Sequence, residues 1–90
     1  MTLRIEFTSA ASRDWRDLSK DVQRRLAPAI DSLADNPHPP GSLALRGNLR
    51  GVIRLRVGDW RIVYQVDAAQ SIVTIVEIAH RSHVYKRAGR

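Results

Sequence analysis

Alternation of apolar and polar residues marks two segments of the chain, residues 52–57 and residues 60–66, which flank Gly58-Asp59. A glycine-containing dipeptide between two alternating runs predicts a tight β-hairpin, because glycine supplies the positive φ that such turns need. With these two residues as the loop, Arg56 pairs with Arg61, and the apolar positions of the two strands lie side by side. The hairpin is therefore the most strongly patterned element of the sequence.

The predicted hairpin has one apolar face and one basic face. Side chains alternate between the faces of a strand, so Ile62 and Tyr64 fall on the face that can be buried. Arg54, Arg56 and Arg61 share the opposite face. Like charges directly opposite each other on a sheet are unfavourable, by roughly a few tenths of a kcal/mol or more. Three guanidinium groups on one rigid surface therefore indicate an anionic partner.

Two helices are predicted before the hairpin. Thr8 and Ser9 are N-cap candidates for the first helix, which extends to about residue 18. Ser19 can cap the second helix, and apolar residues then recur at helical spacing. Pro28 lies inside that second helix and removes a backbone hydrogen bond, so we expect a kink or a break there.

Three further segments complete the predicted architecture. Residues 2–7 alternate and predict a first strand, whereas residues 42–49 show no pattern and are assigned no regular structure. Residues 72–79 are rich in β-branched side chains and apolar on both faces, which predicts a central strand between the first strand and the hairpin. The order β-α-α-β-β-β predicts an α+β fold, with a two-helix hairpin on one face of a four-stranded, mostly antiparallel sheet. Residues 1–90 form a single domain in this prediction.

The excess positive charge lies entirely in the C-terminal half of the chain. The net charge is +6, from 15 basic and 9 acidic residues, and residues 1–45 are balanced. All but two of the basic residues are arginine, whose planar guanidinium suits bidentate contacts with phosphate. Compositional bias can explain the preference for arginine, but it does not explain the clustering. The charge pattern favours a nucleic-acid partner.

Composition excludes several other classes of protein. The chain has no cysteine, so a disulfide framework and a thiolate metal site are both excluded. His80 and His83 lack the signature of a third metal ligand, and we predict no metal and no cofactor. No apolar run approaches the ~20 residues of a membrane span, and no signal-peptide core is present at the N-terminus. We expect a cytoplasmic protein that does not bind a membrane.

Three motifs occur together along the chain. They are Leu45-Arg46-Gly47, the segment R-L-R-V-G-D-W-R-I-V-Y at residues 54–64, and His80-Arg81-x-x-Val84-Tyr85. In this combination the chain closely resembles the RelE branch of the RelE/ParE toxin superfamily over essentially its whole length. The resemblance implies the toxin of a toxin–antitoxin pair, an endoribonuclease that cuts mRNA in the ribosomal A site without a metal. It also implies silencing by a tightly bound RelB-like antitoxin in a hetero-oligomer.

The resemblance further implies roles for single residues. Arg61 contacts the scissile phosphate, Arg81 stabilises charge and assists the leaving group, and Tyr85 stacks on a base or assists proton transfer. Arg54 stands where the family commonly has a lysine that serves as base or phosphate ligand. Further contacts with RNA are expected from Arg46, Arg50, Arg56, His80, Lys86 and Arg87.

The sequence does not identify the general base that takes the proton from the substrate. Metal-free cleavage of RNA uses the ribose 2′-OH as nucleophile, and a base must take its proton. The chain has Val52 and Arg54 where relatives have lysines, and arginine, with a pKa above ~12, is a poor base at neutral pH. His80, His83 and Tyr85 are the alternatives.

Two expectations concern the directions of side chains. Simple alternation in the last strand places His80 on the face of the hairpin arginines and turns Arg81 away. Asp14 belongs to a series of alternating charges in the predicted helices, which is typical of a solvated helix surface. The other members of that series are Arg13, Arg16, Asp17, Asp21, Arg24 and Arg25.

Two other functions compete with the ribonuclease. The first is a ParE-like toxin that poisons DNA gyrase and has no nuclease activity, which Val52 and the missing lysine base favour. The second is a nucleic-acid-binding module without catalysis, which binds RNA in a salt-sensitive manner but does not cut it. The basic tail with Tyr85 favours the nuclease.

Overall fold

Two helices and a five-stranded sheet form the fold in the computed structural model, which describes residues 2–45 and 51–82. The elements are β1 (Arg4–Phe7), α1 (Ser9–Asp17), α2 (Lys20–Ser32), β2 (Ser42–Ala44), β3 (Val52–Val57), β4 (Trp60–Asp67) and β5 (Ile72–His80). The strand order is β1-β5-β4-β3-β2. The predicted α+β class, the two helices and the position of β5 between β1 and the hairpin are confirmed.

The prediction of four strands was wrong. Residues 42–49 were assigned no regular structure, but their first three residues form β2, which pairs with β3. A segment of three residues is too short to show a recognisable alternation, and an edge strand needs backbone hydrogen bonds along one side only. The sheet is also mixed, because β1 runs parallel to β5 while the other neighbouring strands are antiparallel.

Both helices begin at the predicted caps. The hydroxyl groups of Thr8 and Ser19 each accept a hydrogen bond from the backbone N–H three residues later, at 3.1 and 3.2 Å. The expected break at Pro28 does not occur, and α2 is continuous through it. Pro28 is exposed, whereas Leu26 and Ile30 on either side are buried, so packing holds the helix together. Among the described residues, no helix is long and apolar enough to cross a membrane.

The core lies between the helices and one face of the sheet. Apolar side chains of α1 and α2 pack there against alternate residues of β3, β4 and β5. Tyr64 is fully buried, as its position in the hairpin predicts, and its hydroxyl donates a hydrogen bond to the Pro37 carbonyl at 2.7 Å. Burial raises the pKa of Tyr64, and a hydrogen bond with Ser42 opposes that rise.

The hairpin has the predicted register. Arg56 lies opposite Arg61, and Arg54 lies opposite Val63. Gly58 adopts a φ of +60° in the two-residue turn, and glycine reaches this conformation without the strain that a β-carbon brings. The alternation of residues 52–66 was therefore sufficient to predict both the strands and their pairing.

A β-bulge interrupts the pairing of β4 with β5. Val63 lies opposite Glu77, whereas the next residue, Tyr64, lies opposite Ile75. Val76 is the extra residue of β5. A bulge adds one residue to one strand only, so the side chains on the two sides of Val76 follow opposite alternations.

Residues of α1 hold the edge of β5 at this bulge. β1 ends at Phe7, so the part of β5 beyond Ile75 has no strand neighbour on that side. The Thr8 hydroxyl donates to the Val76 carbonyl at 3.3 Å. The Ile78 N–H donates to the Asp14 carboxylate at 3.1 Å. The prediction that Asp14 lies on a solvated helix surface was therefore wrong, because its carboxylate is a hydrogen-bond acceptor for the sheet edge.

Candidate nucleic-acid interface

The sheet surface opposite the helices carries three arginines in the positions that the sequence predicts. We call this surface the arginine face and define it by Arg54, Arg56 and Arg61. Arg56 and Arg61 form one cross-strand pair, and Arg54 lies opposite Val63 in the next row of the same face. Arg54 and Arg61 are half-buried, whereas Arg56 is exposed. The three side chains come from two strands joined by a two-residue turn, so the sheet itself fixes their spacing.

Arg54 has an unused hydrogen-bond donor. Its Nε atom is shielded from solvent and donates to no described residue. A buried donor without an acceptor costs about 1–3 kcal/mol. A phosphate bound on this face could accept that hydrogen bond and would be held by a charge-assisted contact. The local structure of Arg54 therefore favours an anionic ligand.

The bulge at Val76 changes which residues of β5 belong to the arginine face. Glu77 lies opposite Val63, so it occupies the same row as Arg54. The Arg81 N–H donates to the Asp59 carbonyl at 2.8 Å and extends the pairing beyond the end of β5. β5 ends at His80, so this hydrogen bond brings the Arg81 backbone next to the hairpin turn without fixing the direction of its side chain. The expectation that Arg81 turns away from the arginine face stays a prediction.

His80 follows the other alternation. It lies opposite Trp60, a residue of the face that the helices cover. The two rings meet edge to face, with centroids 5.3 Å apart and an interplanar angle of 85°. The expectation that His80 lies on the arginine face was therefore wrong, and the extra residue in β5 is the reason.

Two polar contacts join the His80 ring to Ser82. Its Nδ1 atom is 3.0 Å from the Ser82 hydroxyl oxygen, and the Ser82 N–H donates to the same nitrogen at 3.4 Å. These contacts and the position beside Trp60 disfavour His80 as the base for a substrate on the arginine face.

The positive charge is concentrated at the hairpin end of the sheet. The register places Arg54, Arg56, Arg61 and Arg81 in this region. At the far edge of the same face, Arg4 Nε lies 2.9 Å from the Glu6 carboxylate, and these two charges compensate each other. An extended anion is therefore attracted to β3, β4 and the end of β5 rather than to the whole face.

Several predicted site residues lie outside the described residues. They are Arg46, Arg50, His83, Tyr85, Lys86 and Arg87. Sequence reasoning missed Glu77, although it is the one acidic side chain in residues 72–79. Within the described ranges, no group of three histidine, aspartate or glutamate side chains is placed to hold a metal ion.

Known proteins share both the sequence pattern and the fold. Residues 5–85 match the family model of the ParE toxin of the type II toxin–antitoxin system parDE. Toxin RelE of Mycobacterium tuberculosis is 34% identical over 83 residues, which cover 91% of this chain and 84% of that protein. The mRNA interferase toxin RelE of Escherichia coli is 28% identical over 91 residues, covering 93% of this chain and 90% of that protein.

A solved structure shows the same architecture. The crystal structure of the toxin–antitoxin complex RelBE2 of Mycobacterium tuberculosis contains a chain that matches with a TM-score of 0.79 and 27% identity. The match covers 90% of this chain and 100% of that chain. Family model, sequence relatives and fold agree, and the chain belongs to the RelE/ParE superfamily of toxins from type II toxin–antitoxin systems.

Proposed function

We propose that this toxin is a ribosome-dependent endoribonuclease that cuts mRNA in the A site by metal-free attack of a ribose 2′-OH. The arginine face is the observation that carries the proposal, because it presents guanidinium groups and the unused Arg54 donor on a rigid sheet. An Escherichia coli relative at 28% identity is named an mRNA interferase, which supports the same activity.

The proposed reaction requires charge stabilisation around the phosphate. Attack by the 2′ oxygen adds negative charge to the phosphoryl oxygens, and preorganised cationic donors lower the energy of that transition state. Arg61 and Arg54 bind the scissile phosphate from neighbouring strands. Arg81 stabilises the charge that develops on the departing 5′ oxygen, and Arg56 binds a neighbouring phosphate of the message.

Six further side chains complete the proposed interface. Tyr85 stacks on a base or assists proton transfer, and His80 contacts the message at the rim beside Trp60. The remaining proposed contacts are with phosphates of the message. They come from Arg46, Arg50, Lys86 and Arg87.

Mapping of 5′ ends after induction of the toxin in bacterial cells tests the proposal. We expect new 5′ ends inside translated coding sequences and none in copies of the same message whose start codon is removed. Arg61→Ala should reduce cutting by about 10²-fold or more, because it removes a donor to the transition state. Arg25→Ala removes an exposed arginine of α2 and should cut like the wild type. Uncut messages in cells whose growth has stopped would refute the nuclease.

Gyrase poisoning is the second candidate function. No lysine lies on the arginine face among the described residues, so a lysine base is missing there. A DNA-damage response without new 5′ ends, and relief of toxicity by a resistant gyrase, would establish this alternative.

We further propose a RelB-like antitoxin as the partner of this chain in a hetero-oligomer. The net charge of +6 and the exposed arginines make the free protein a non-specific ligand for nucleic acids, so an acidic partner would restrain it. A relative of the same fold was solved as a toxin–antitoxin complex. Co-expression with the adjacent small open reading frame should restore growth and yield a co-purifying pair. Full toxicity with every neighbouring gene co-expressed would contradict this proposal.

A further inference from the structure

Glu77 is an acidic residue in the middle of a basic surface. We infer that Glu77 is the general base that takes the proton from the ribose 2′-OH, an inference that rests on the proposed ribonuclease function. Two positions at which relatives have lysines do not fit this role, since Val52 has no ionisable group and arginine, the residue at position 54, is a poor base at neutral pH. His80 packs beside Trp60 on the other alternation of β5.

The register places Glu77 close to the phosphate-binding arginines. Arg54, Val63 and Glu77 form one row across β3, β4 and β5, and Arg61 lies in the next row opposite Ala79. Adjacent strands are about 4.8 Å apart, so Glu77 and Arg54 lie roughly 10 Å apart across the sheet. Diagonal neighbours such as Glu77 and Arg61 are about 7–8 Å apart. A phosphate between the two arginines therefore brings its own ribose within reach of the Glu77 carboxylate.

No other acidic residue of the described chain shares these two rows. Asp67 is on the same face, but it pairs with Ile72 at the far end of β5. Asp59 lies in the hairpin turn, beyond the row of Arg61. Glu77 is half-buried, and its strand is held at the bulge by α1, so the carboxylate projects from a fixed part of the sheet.

The chemical step balances with Glu77 as the acceptor. The 2′-OH gives its proton to a carboxylate oxygen, and the electron pair of the O–H bond forms the new bond between the 2′ oxygen and phosphorus. The bond between phosphorus and the 5′ oxygen breaks, and the leaving oxygen takes a proton from solvent. The products are a 2′,3′-cyclic phosphate and a 5′-hydroxyl, and Glu77 returns its proton to water.

Glu77 is also the one acidic residue in the two rows of the arginine face that contain Arg54 and Arg61. A glutamate that only tunes the charge of the surface would weaken RNA binding, and its removal would then improve both binding and cleavage. A general base has a different signature, because its removal tightens RNA binding while it slows the chemical step. Glu77→Gln separates the two roles, since it keeps the size of the side chain and removes both charge and basicity.

Single-turnover cleavage of mRNA on programmed ribosomes tests the inference, with RNA affinity measured in parallel. We expect Glu77→Gln to cut about 10²–10⁴-fold more slowly than the wild type, with equal or tighter RNA binding. Gln65→Ala changes an exposed side chain of the next row of the same face and should leave the rate unchanged. Glu77→Ala should regain activity with added acetate, and this rescue remains informative if Glu77→Gln is poorly folded.

The outcomes separate failure of the Glu77 assignment from failure of the proposed ribonuclease function. A Glu77→Gln rate within threefold of the wild-type rate would overturn the assignment of Glu77 and leave the proposed ribonuclease intact. Loss of activity in Glu77→Ala that acetate does not restore, together with weakened RNA binding, would also overturn it. If the wild type makes no cut on any programmed ribosome, both the inference and the proposed function fail.

Discussion

Removal of the Asp14 carboxylate is expected to destabilise the sheet at its bulge. The Ile78 N–H donates to this carboxylate at 3.1 Å, at a part of β5 that lies beyond the end of β1. Asp14→Ala leaves the amide without that acceptor, and Ile78 is only 3% exposed, so water has poor access to it. The substitution therefore removes a hydrogen-bond acceptor that α1 provides to the edge of the sheet.

Two contributions determine how much Asp14→Ala lowers the free energy of unfolding. A buried N–H that loses its acceptor costs about 1–3 kcal/mol. Alanine is a better helix former than aspartate and returns about 0.5 kcal/mol. The net loss is about 0.5–2.5 kcal/mol, which corresponds to a fall in Tm of roughly 2–20 °C for a domain of this size.

Urea unfolding and thermal melting of matched variants measure this loss. Asp17→Ala is the control, because Asp17 is an exposed residue of the same helix, and its free energy of unfolding should change by less than about 0.5 kcal/mol. Amide hydrogen exchange should quicken at Ile78 in Asp14→Ala and stay unchanged in Asp17→Ala. Equal stabilities for the two variants, with unchanged exchange at Ile78, would refute the role assigned to Asp14.

Three further predictions concern the core, the turn and the basic surface. Burial raises the pKa of Tyr64, so the folded state keeps this proton to higher pH than the unfolded chain. The contribution of Tyr64 to stability should therefore be constant below pH ~10 and fall above it, and Tyr64→Phe, compared by urea unfolding at several pH values, should lose that part of the fall. Gly58→Ala should cost about 1 kcal/mol because φ is +60°, whereas Gly58→Asn should cost less in the same melting assay; equal losses would contradict this account. Arg61→Ala should lower the slope of log affinity for single-stranded RNA against log salt by about 0.7, and an unchanged slope would show that Arg61 contacts no phosphate.

The hairpin could be predicted from the sequence because several signals coincide there. The alternation of apolar and polar residues predicts which side chains share a face, and Gly58 marks where the chain reverses, so the register follows. In β2 these signals are missing, since three residues cannot establish a period and the pairing with β3 depends on where the preceding loop returns. At Pro28 the sequence predicted a kink or break that does not occur, because the burial of the neighbouring residues outweighs the loss of one backbone hydrogen bond.

The composition of the site could be predicted only in part. Residues 72–79 are apolar on both faces, so their hydrophobic pattern does not allow the bulge at Val76 to be predicted. The face of His80 was therefore predicted wrongly, and Glu77 was overlooked. Asp14 presents the same difficulty, because only the packing of α1 across the end of β1 shows which backbone group its carboxylate meets.

The bulge in β5 makes the pairing of the strand as important as its residues for this surface. Because Val76 is held out of the pairing, Glu77 lies opposite Val63 on the arginine face, whereas simple alternation would place it on the face that the helices cover. Deleting Val76 would leave Ile75 opposite Tyr64 and Glu77 opposite Val63, so the remaining side chains would keep their faces. Pairing of the same residues without the bulge would instead bring Ile78 and His80 to the arginine face and turn Glu77 toward the helices. In this fold, one residue held out of the ladder decides which set of side chains the surface presents.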